Sequence, residues 1–339
     1  MRKLNIGLIG AGRMGAFHGE TIANRIPNAN LYAVADPVPG AAENLLDKLE
    51  VAAKTFADPT ELIKDENIEA VVIASPARTH ACNVLAAINQ GKAVFCEKPM
   101  AINMEEANRI LQAIEGNKNL VQVGFNRRFE NGFRSAHEEI VAGKIGTPQL
   151  LRSNTRDPKL NRAESIQEWT IFLETLIHDF DTLMYLNPGA KPVEVYAIAD
   201  ALIRPDLKEK GLLDTAVVNI KFDNGAIATA DANFQAVYGY DVRAEVFGSE
   251  GMLTTGGIRK SNMIRYNKNG ASYDTCRYDQ DLLFDAYVSE LRSFTNSVIS
   301  NEPTVVNAED AVWALKIALA SIDSVKMNCP IKVGEKTFV

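Results

Sequence analysis

Up to residue 123, short apolar runs alternate with helical patterns. Residues 4–9, 30–35, 54–56, 70–74, 93–96 and 120–123 read as strands, and residues 16–25, a stretch from 59, 79–89 and 104–114 read as helices. Asp58 and Asn103 stand where N-caps are expected. Strands alternating with helices at this rhythm predict a doubly wound parallel sheet covered on both faces. From residue 124 the texture changes. Helical patterns at 133–142 and 171–186 surround or precede strand alternation at 147–155, 193–202, 215–222, 226–234 and 241–247, and helices at 282–299 and 309–326 close the chain. Asp223-Asn224-Gly225 is a hairpin signal and Gly248-Ser249-Glu250-Gly251 marks a second turn. The prediction is therefore an α/β protein: a Rossmann domain over residues 1–123, then an α+β domain over 124–339 with a mainly antiparallel open sheet.

Within the first pattern, strand 4–9 runs straight into Gly10-Ala11-Gly12-Arg13-Met14-Gly15 and then into a helix. That is GxGxxG in the strand-turn-helix context that gives it meaning. Gly10 permits the tight turn, Gly12 lets the backbone approach a pyrophosphate, and Gly15 allows close helix-strand packing. The second strand ends in Asp36, about twenty residues on, where an acid meets the ribose hydroxyls. A carboxylate there repels a 2′-phosphate, and Pro37-Val38-Pro39-Gly40 supplies no cation, so NAD is expected over NADP. Met14, Ser75 and Glu97 join these as candidate cofactor contacts. Arg13 is either a phosphate contact or a solvated side chain, and His80 either a cofactor contact or a structural histidine at a helix start.

Glu97-Lys98-Pro99 leaves the strand 93–96 and marks the hinge between the two patterns. A lysine after a strand is usually a solvated charge, but Pro99 directly behind it restricts where Lys98 points. Ligand crevices in such sheets lie beyond the strands' carboxyl ends, so Lys98 is a candidate catalytic cation. Downstream, Glu174, His178 and Asp181 share one face if residues 171–186 form a regular helix. A carboxylate beside an imidazole favours the protonated ring and makes the neutral ring a better proton acceptor. Alcohol oxidation needs such a base while hydride leaves the same carbon, and Lys98 would stabilise the oxygen's developing negative charge. The alternatives are an exposed Glu174–His178 pair of structural value only, or a metal site, for which no further ligand is evident.

The remaining properties narrow the class. With 339 residues, two domains are the prior, and a formal charge of −7 offers neither a nucleic-acid footprint nor a membrane anchor. No run approaches the roughly eighteen apolar residues of a membrane span, and glycines break the initial apolar run too early for a signal peptide. Four cysteines, Cys82, Cys96, Cys276 and Cys329, show no CxxC spacing, and a reducing cytoplasmic setting is expected.

Together, Gly10 to Gly15, Ala35-Asp36-Pro37, Cys96-Glu97-Lys98-Pro99, the run from Gly124 to Phe129, Arg156-Asp157-Pro158, Ile177-His178-Asp179-Phe180-Asp181 and Val237-Tyr238-Gly239-Tyr240-Asp241 carry a likeness. Over essentially its whole length the chain resembles the glucose-fructose oxidoreductase, inositol dehydrogenase and MocA family, and within it the inositol 2-dehydrogenases. The resemblance implies an NAD-dependent oxidoreductase acting on a secondary hydroxyl of a cyclic polyol, with Lys98 at the nicotinamide and His178 as catalytic base. It implies Glu174 where the family usually has aspartate, and substrate contacts from Lys98, Glu174, His178, Tyr238 and Asp157. Arg127, Arg156 and Asp157 are weaker candidates, each open to reading as a surface charge or part of an interdomain ion pair. Trp169-Thr170 stands where inositol dehydrogenases tend to carry a glycine pair, so substrate choice is expected to differ. The resemblance further implies a dimer or homotetramer built on the open sheet. Rival readings are a sugar or keto-inositol oxidoreductase of the same family, and a non-catalytic sensor of dinucleotide or sugar.

Overall fold

The structure, a computed structural model, describes residues 2–117, 120–160 and 166–335. The chain divides into two compact units, residues 1–125 with 287–312 and residues 126–286 with 313–339.

In the first unit, strands and helices alternate as β1 (Leu4–Ile9), α1 (Arg13–Asn24), β2 (Ala29–Ala35), α2 (Ala41–Leu49), β3 (Lys54–Phe56), α3 (Pro59–Lys64), β4 (Ala70–Ile73), α4 (His80–Asn89), β5 (Ala93–Cys96), α5 (Met104–Asn117) and β6 (Val121–Val123). The strands line up in the order β3-β2-β1-β4-β5-β6, every pair parallel. Strand order reverses between β1 and β4, and the crevice beyond their carboxyl ends is where such sheets bind ligands. Ile6, Leu8, Val72 and Phe95 are fully buried, as continuous apolar strands covered on both faces must be. Asp58 caps α3 by accepting from the Thr60 N–H at 2.8 Å, and the Asn103 side chain accepts from the Glu106 N–H at 2.9 Å.

The second unit carries α6 (Asn131–Val141), β7 (Pro148–Arg156), α7 (Leu176–Tyr185), β8 (Pro192–Asp200), β9 (Thr215–Phe222), β10 (Ile227–Asn233), β11 (Asp241–Gly248), β12 (Met252–Gly257), β13 (Arg265–Asn267), β14 (Gly270–Ser272), α8 (Asp279–Leu282), part of α9 (Phe284–Ser300), most of α10 (Ala308–Met327) and β15 (Ile331–Lys332). Its main sheet runs β12-β11-β7-β10-β9-β8-β15. It is mainly antiparallel, with β7 and β10 its parallel pair. The predicted turn at 223–225 joins β9 to β10 with Gly225 at φ 88°, where glycine meets no Cβ penalty. The turn at 248–251 closes β11 onto β12 through the Gly248 N–H and Gly251 carbonyl at 2.8 Å. Alternation buries one face of this sheet and leaves Ile198, Val217, Ile227 and Phe247 exposed.

The remainder of α9 returns to the first unit. Leu291 and Phe294 sit in the same apolar core as Leu4, Ile6, Leu8 and Phe95. Periodicity predicts that helix but not the sheet it covers.

Candidate active site

The three glycines of the first loop have different local demands. Gly10 adopts φ 101°, and a Cβ there would meet the Ala74 carbonyl oxygen at 2.6 Å. A Cβ at Gly15 would lie 1.9 Å from the Gly10 carbonyl oxygen, so α1 packs on the turn only because that residue is glycine. At Gly12 a Cβ would meet nothing within 4 Å. Gly12 is exposed and forms the N-cap of α1 with no side-chain cap, so the open approach falls at the positive end of the helix dipole. Asp36 completes the arrangement. One of its carboxylate oxygens accepts from the Ala11 N–H at 2.7 Å and the other from the Val38 N–H at 2.9 Å, which fixes the half-buried group while leaving each oxygen a further lone pair. These residues fit a dinucleotide with a free 2′-hydroxyl.

Around the next strand ends, the structure binds several candidates to one another. The Ser75 and Thr79 hydroxyls are 2.7 Å apart. His80 is buried, its Nε2 2.7 Å from the Ser75 carbonyl oxygen and its Nδ1 2.8 Å from the Pro99 carbonyl oxygen. It therefore clamps the segment after β4 to the one after β5, the structural role that the sequence left open. Glu97, a candidate cofactor contact, is buried and turned to His18 at 2.7 Å. Lys98 beside it is half-buried, Arg13 is exposed and Met14 half-buried.

In the second unit the helix carrying Glu174 and His178 is not regular. Residues Ile171–Thr175 form a π-helical turn that leads into α7. Glu174 lies in this π turn, where the spacing differs from the i, i+4 of an α-helix, whereas His178 and Asp181 follow in the regular turns of α7. Glu174 and His178 are both half-buried. Asp181 is instead taken by Arg128, whose Nε and Nη2 approach its carboxylate at 3.0 and 2.6 Å. Asp179, fully buried, accepts from Arg127 Nη1 at 2.8 Å, Ser153 Oγ at 2.5 Å and Thr155 Oγ1 at 2.6 Å. Arg127 and Asp179 lie in the same unit, so this is neither a surface charge nor an interdomain pair. Two adjacent arginines thus lock Asp179 and Asp181 of α7, and His178 is presented by a helix held against β7 from beneath.

Tyr238 lies in a turn and not on an extended strand, so it shares no strand face with Tyr240. Its hydroxyl donates to Asp241 Oδ2 at 2.7 Å, in a network with Arg243. Burial, then the Tyr238 hydroxyl's acceptor Asp241, raise its phenol above the ordinary value. Tyr240 is the more enclosed phenol: burial, then the charges of Asp157 and Asp279, push it well up. Asp157 is half-buried and fixed through its backbone to Asn233 and Ala236. Arg156 forms a two-pronged pair with Asp231 at 3.0 and 2.6 Å.

Trp169 adopts φ 60°, the left-handed region where glycine is at ease. The Lys326 ammonium lies 5.3 Å from its ring centroid and the Phe172 ring 6.4 Å away. The position where a glycine was expected is thus one whose backbone suits glycine.

Comparison with known proteins follows the same division of the chain. Residues 4–125 match the family model described as the oxidoreductase family, NAD-binding Rossmann fold, and residues 133–254 match the GFO/IDH/MocA C-terminal domain. The chain is 35% identical to myo-inositol 2-dehydrogenase of Thermotoga maritima over 98% of this chain and 99% of that one. It is 33% identical to the NAD(+)-linked scyllo-inositol 2-dehydrogenase of Bacillus subtilis over 97% and 96%. A crystal structure of scyllo-inositol dehydrogenase from Lactobacillus casei with bound NAD(H) and scyllo-inositol superposes with a TM-score of 0.93 at 30% identity, covering 98% of this chain and 100% of that one. The first unit is an NAD-binding Rossmann domain, and the chain belongs to the GFO/IDH/MocA oxidoreductase family.

Proposed function

We propose that the protein is an NAD-dependent dehydrogenase that oxidises a ring CH–OH of an inositol-class polyol to the ketone. The observation that carries this reading is the likeness, over nearly the whole chain, to inositol dehydrogenases. NAD supplies a hydride acceptor when bound. The glycine loop and Asp36 hold the cofactor, with Met14 and Arg13 alongside. His178 takes the hydroxyl proton, so that proton and hydride together account for the two hydrogens lost from the alcohol. Glu174 orients His178 or a neighbouring substrate hydroxyl, and Lys98 stabilises negative charge on the reacting oxygen. From the second unit, Tyr240 and Asp157 are the candidates for contact with polyol hydroxyls, and Tyr238 is the weaker one because Asp241 already holds its hydroxyl.

The first test is NADH formation by the purified protein with myo-inositol, its stereoisomers and common aldoses. Turnover on an inositol with NAD, and little with NADP, is the expected result. Turnover on aldoses alone would move the substrate to the sugars, and silence across the panel with NAD still bound would favour a sensor.

Trp169 bears on which polyol is taken. Trp169→Gly removes the indole and relieves a left-handed backbone worth about 1 kcal/mol. The expected outcome is a KM for myo-inositol lower by about tenfold with kcat little changed; an unchanged KM would show that the indole does not bound the substrate.

We also place the protein in the cytoplasm as a homo-oligomer. All four cysteines are free, and no described helix is long and apolar enough to cross a membrane. The exposed apolar face of the second sheet, where Ile198 pairs in register with Val217, supports self-association, which light scattering measures.

A further inference from the structure

Next to Lys98 the first unit buries side chains that the hydride chemistry does not use. His18 of α1, Glu97 at the end of β5 and Glu290 of α9 are 0%, 6% and 0% exposed. Their ligand-type nitrogen and oxygen atoms all lie within 4.8 Å of one another. An ionised carboxylate only accepts, so His18 Nε2 donates to Glu97 Oε1 at 2.7 Å. Both oxygens of Glu290 are buried without a hydrogen-bond partner, and so are His18 Nδ1, Thr21 Oγ1 and Gln122 Oε1. The spacing would admit a cation on distance alone. Binding one would require His18 and Glu97 to aim at it, and here they aim at each other.

An ionised carboxylate with no donor on either oxygen is strongly disfavoured in such surroundings, whereas the neutral acid is not. Burial, then the charge of Glu97, push the Glu290 carboxyl well above its ordinary value. Burial acts on Glu97 in the same direction, but the His18 hydrogen bond and the fields of His18, Lys98 and His80 together outweigh it, and Glu97 lies below its ordinary value. Two neighbouring carboxyls thus divide into an acid and an anion.

We propose that Glu290 is a positioning residue for Lys98: a neutral carboxylic acid that faces the Glu97 carboxylate and holds it, with the adjoining Lys98, at the end of β5. A separation within 4.8 Å is spanned by a side-chain rotation or by one water molecule. His18 already holds Glu97 and His80 holds Pro99, and Glu290 closes the remaining side of Glu97. The groups facing the Glu290 carboxyl are His18 from α1 and Glu97 after β5; Gln122 from β6 donates to the Glu290 backbone carbonyl at 2.9 Å, Tyr287 of α9 meets the His18 ring edge-on, and the charges of Lys98 and His80 act on Glu97.

Two variants test this, Glu290→Gln, which keeps shape and cannot ionise, and Glu290→Leu, which removes the polar group. The infrared carbonyl stretch of a protonated carboxyl is expected in the wild type at neutral pH and absent from Glu290→Gln. Raising the folded-state value of an acid means that the folded state holds a proton the unfolded state has released, so stability falls as pH rises above the unfolded value. The Tm of Glu290→Gln relative to wild type is therefore expected to climb steadily as pH goes from about 5 to about 9. Only the kinetic arm rests on the dehydrogenase reading: Glu290→Gln keeps kcat within about twofold, and Glu290→Leu lowers it about tenfold with the Kd for NAD little changed. A missing infrared band, or a Tm difference flat with pH, would overturn the neutral acid. Wild-type kcat in Glu290→Leu would overturn the positioning role, and if no polyol is turned over by any form, the infrared and thermal readouts still decide the protonation state.

Discussion

Lys98→Ala lowers kcat by about two to three orders of magnitude while the Kd for NAD changes by no more than a few-fold. A fixed cation aimed at an oxygen that becomes negative acts on the transition state and hardly on the ground state, and removing one such donor typically costs about 10²–10³ in rate. In the proposed reading the cofactor's main anchors are elsewhere, at the glycine loop and at Asp36, whose carboxylate accepts from the Ala11 and Val38 N–H groups. Steady-state kinetics with the preferred polyol, set beside calorimetric titration with NAD, checks both halves. Unchanged turnover would remove Lys98 from the mechanism. Loss of NAD affinity in proportion to kcat would make it a cofactor anchor instead.

Asp179→Ala destabilises the second unit by about 3–5 kcal/mol, because it strands the Arg127 guanidinium in a site that is 2% exposed. The Ser153 and Thr155 hydroxyls lose their acceptor in the same step. A drop in Tm on the order of 10 °C is the expected reading. The control is Arg127→Met combined with Asp179→Leu, which removes both charges and should recover a large part of the loss, since apolar replacement of a buried pair is often neutral. A double variant no more stable than the single one would show that the hydroxyl network, and not the stranded charge, carries the cost.

The arginine pair depends on contacts that local sequence pattern does not encode. Arg127 and Asp179 are 52 residues apart, and nothing in local periodicity links them. Apolar patterning reports which face of an element is buried and is silent about which charge from another element meets it there. Glu290 is hidden for the same reason: one carboxylate turned inward on an amphipathic helix leaves no trace in the apolar pattern. The π turn at residues 171–175 is subtler still, because the spacing of Glu174 and His178 is compatible with an ordinary helix and only the backbone shows the widened turn. Likewise, the position of His80 at a helix start does not reveal that both its ring nitrogens face backbone carbonyl oxygens.

What the sequence determined by itself was local or repetitive. The strand-turn-helix at Gly10 to Gly15, the acid at Asp36 with no cation behind it, the alternation that makes one sheet parallel and the other mainly antiparallel, and the turn at 223–225 all depend on short-range steric and hydrophobic rules. The tertiary structure decided what depends on distant partners: the return of residues 287–312 to the first unit, the parallel pairing of β7 with β10, the pinning of α7 by Arg127 and Arg128, and the buried meeting of His18, Glu97 and Glu290. Backbone preference acts over a few residues, whereas burying a charge is tolerable only when a particular partner arrives from elsewhere in the fold.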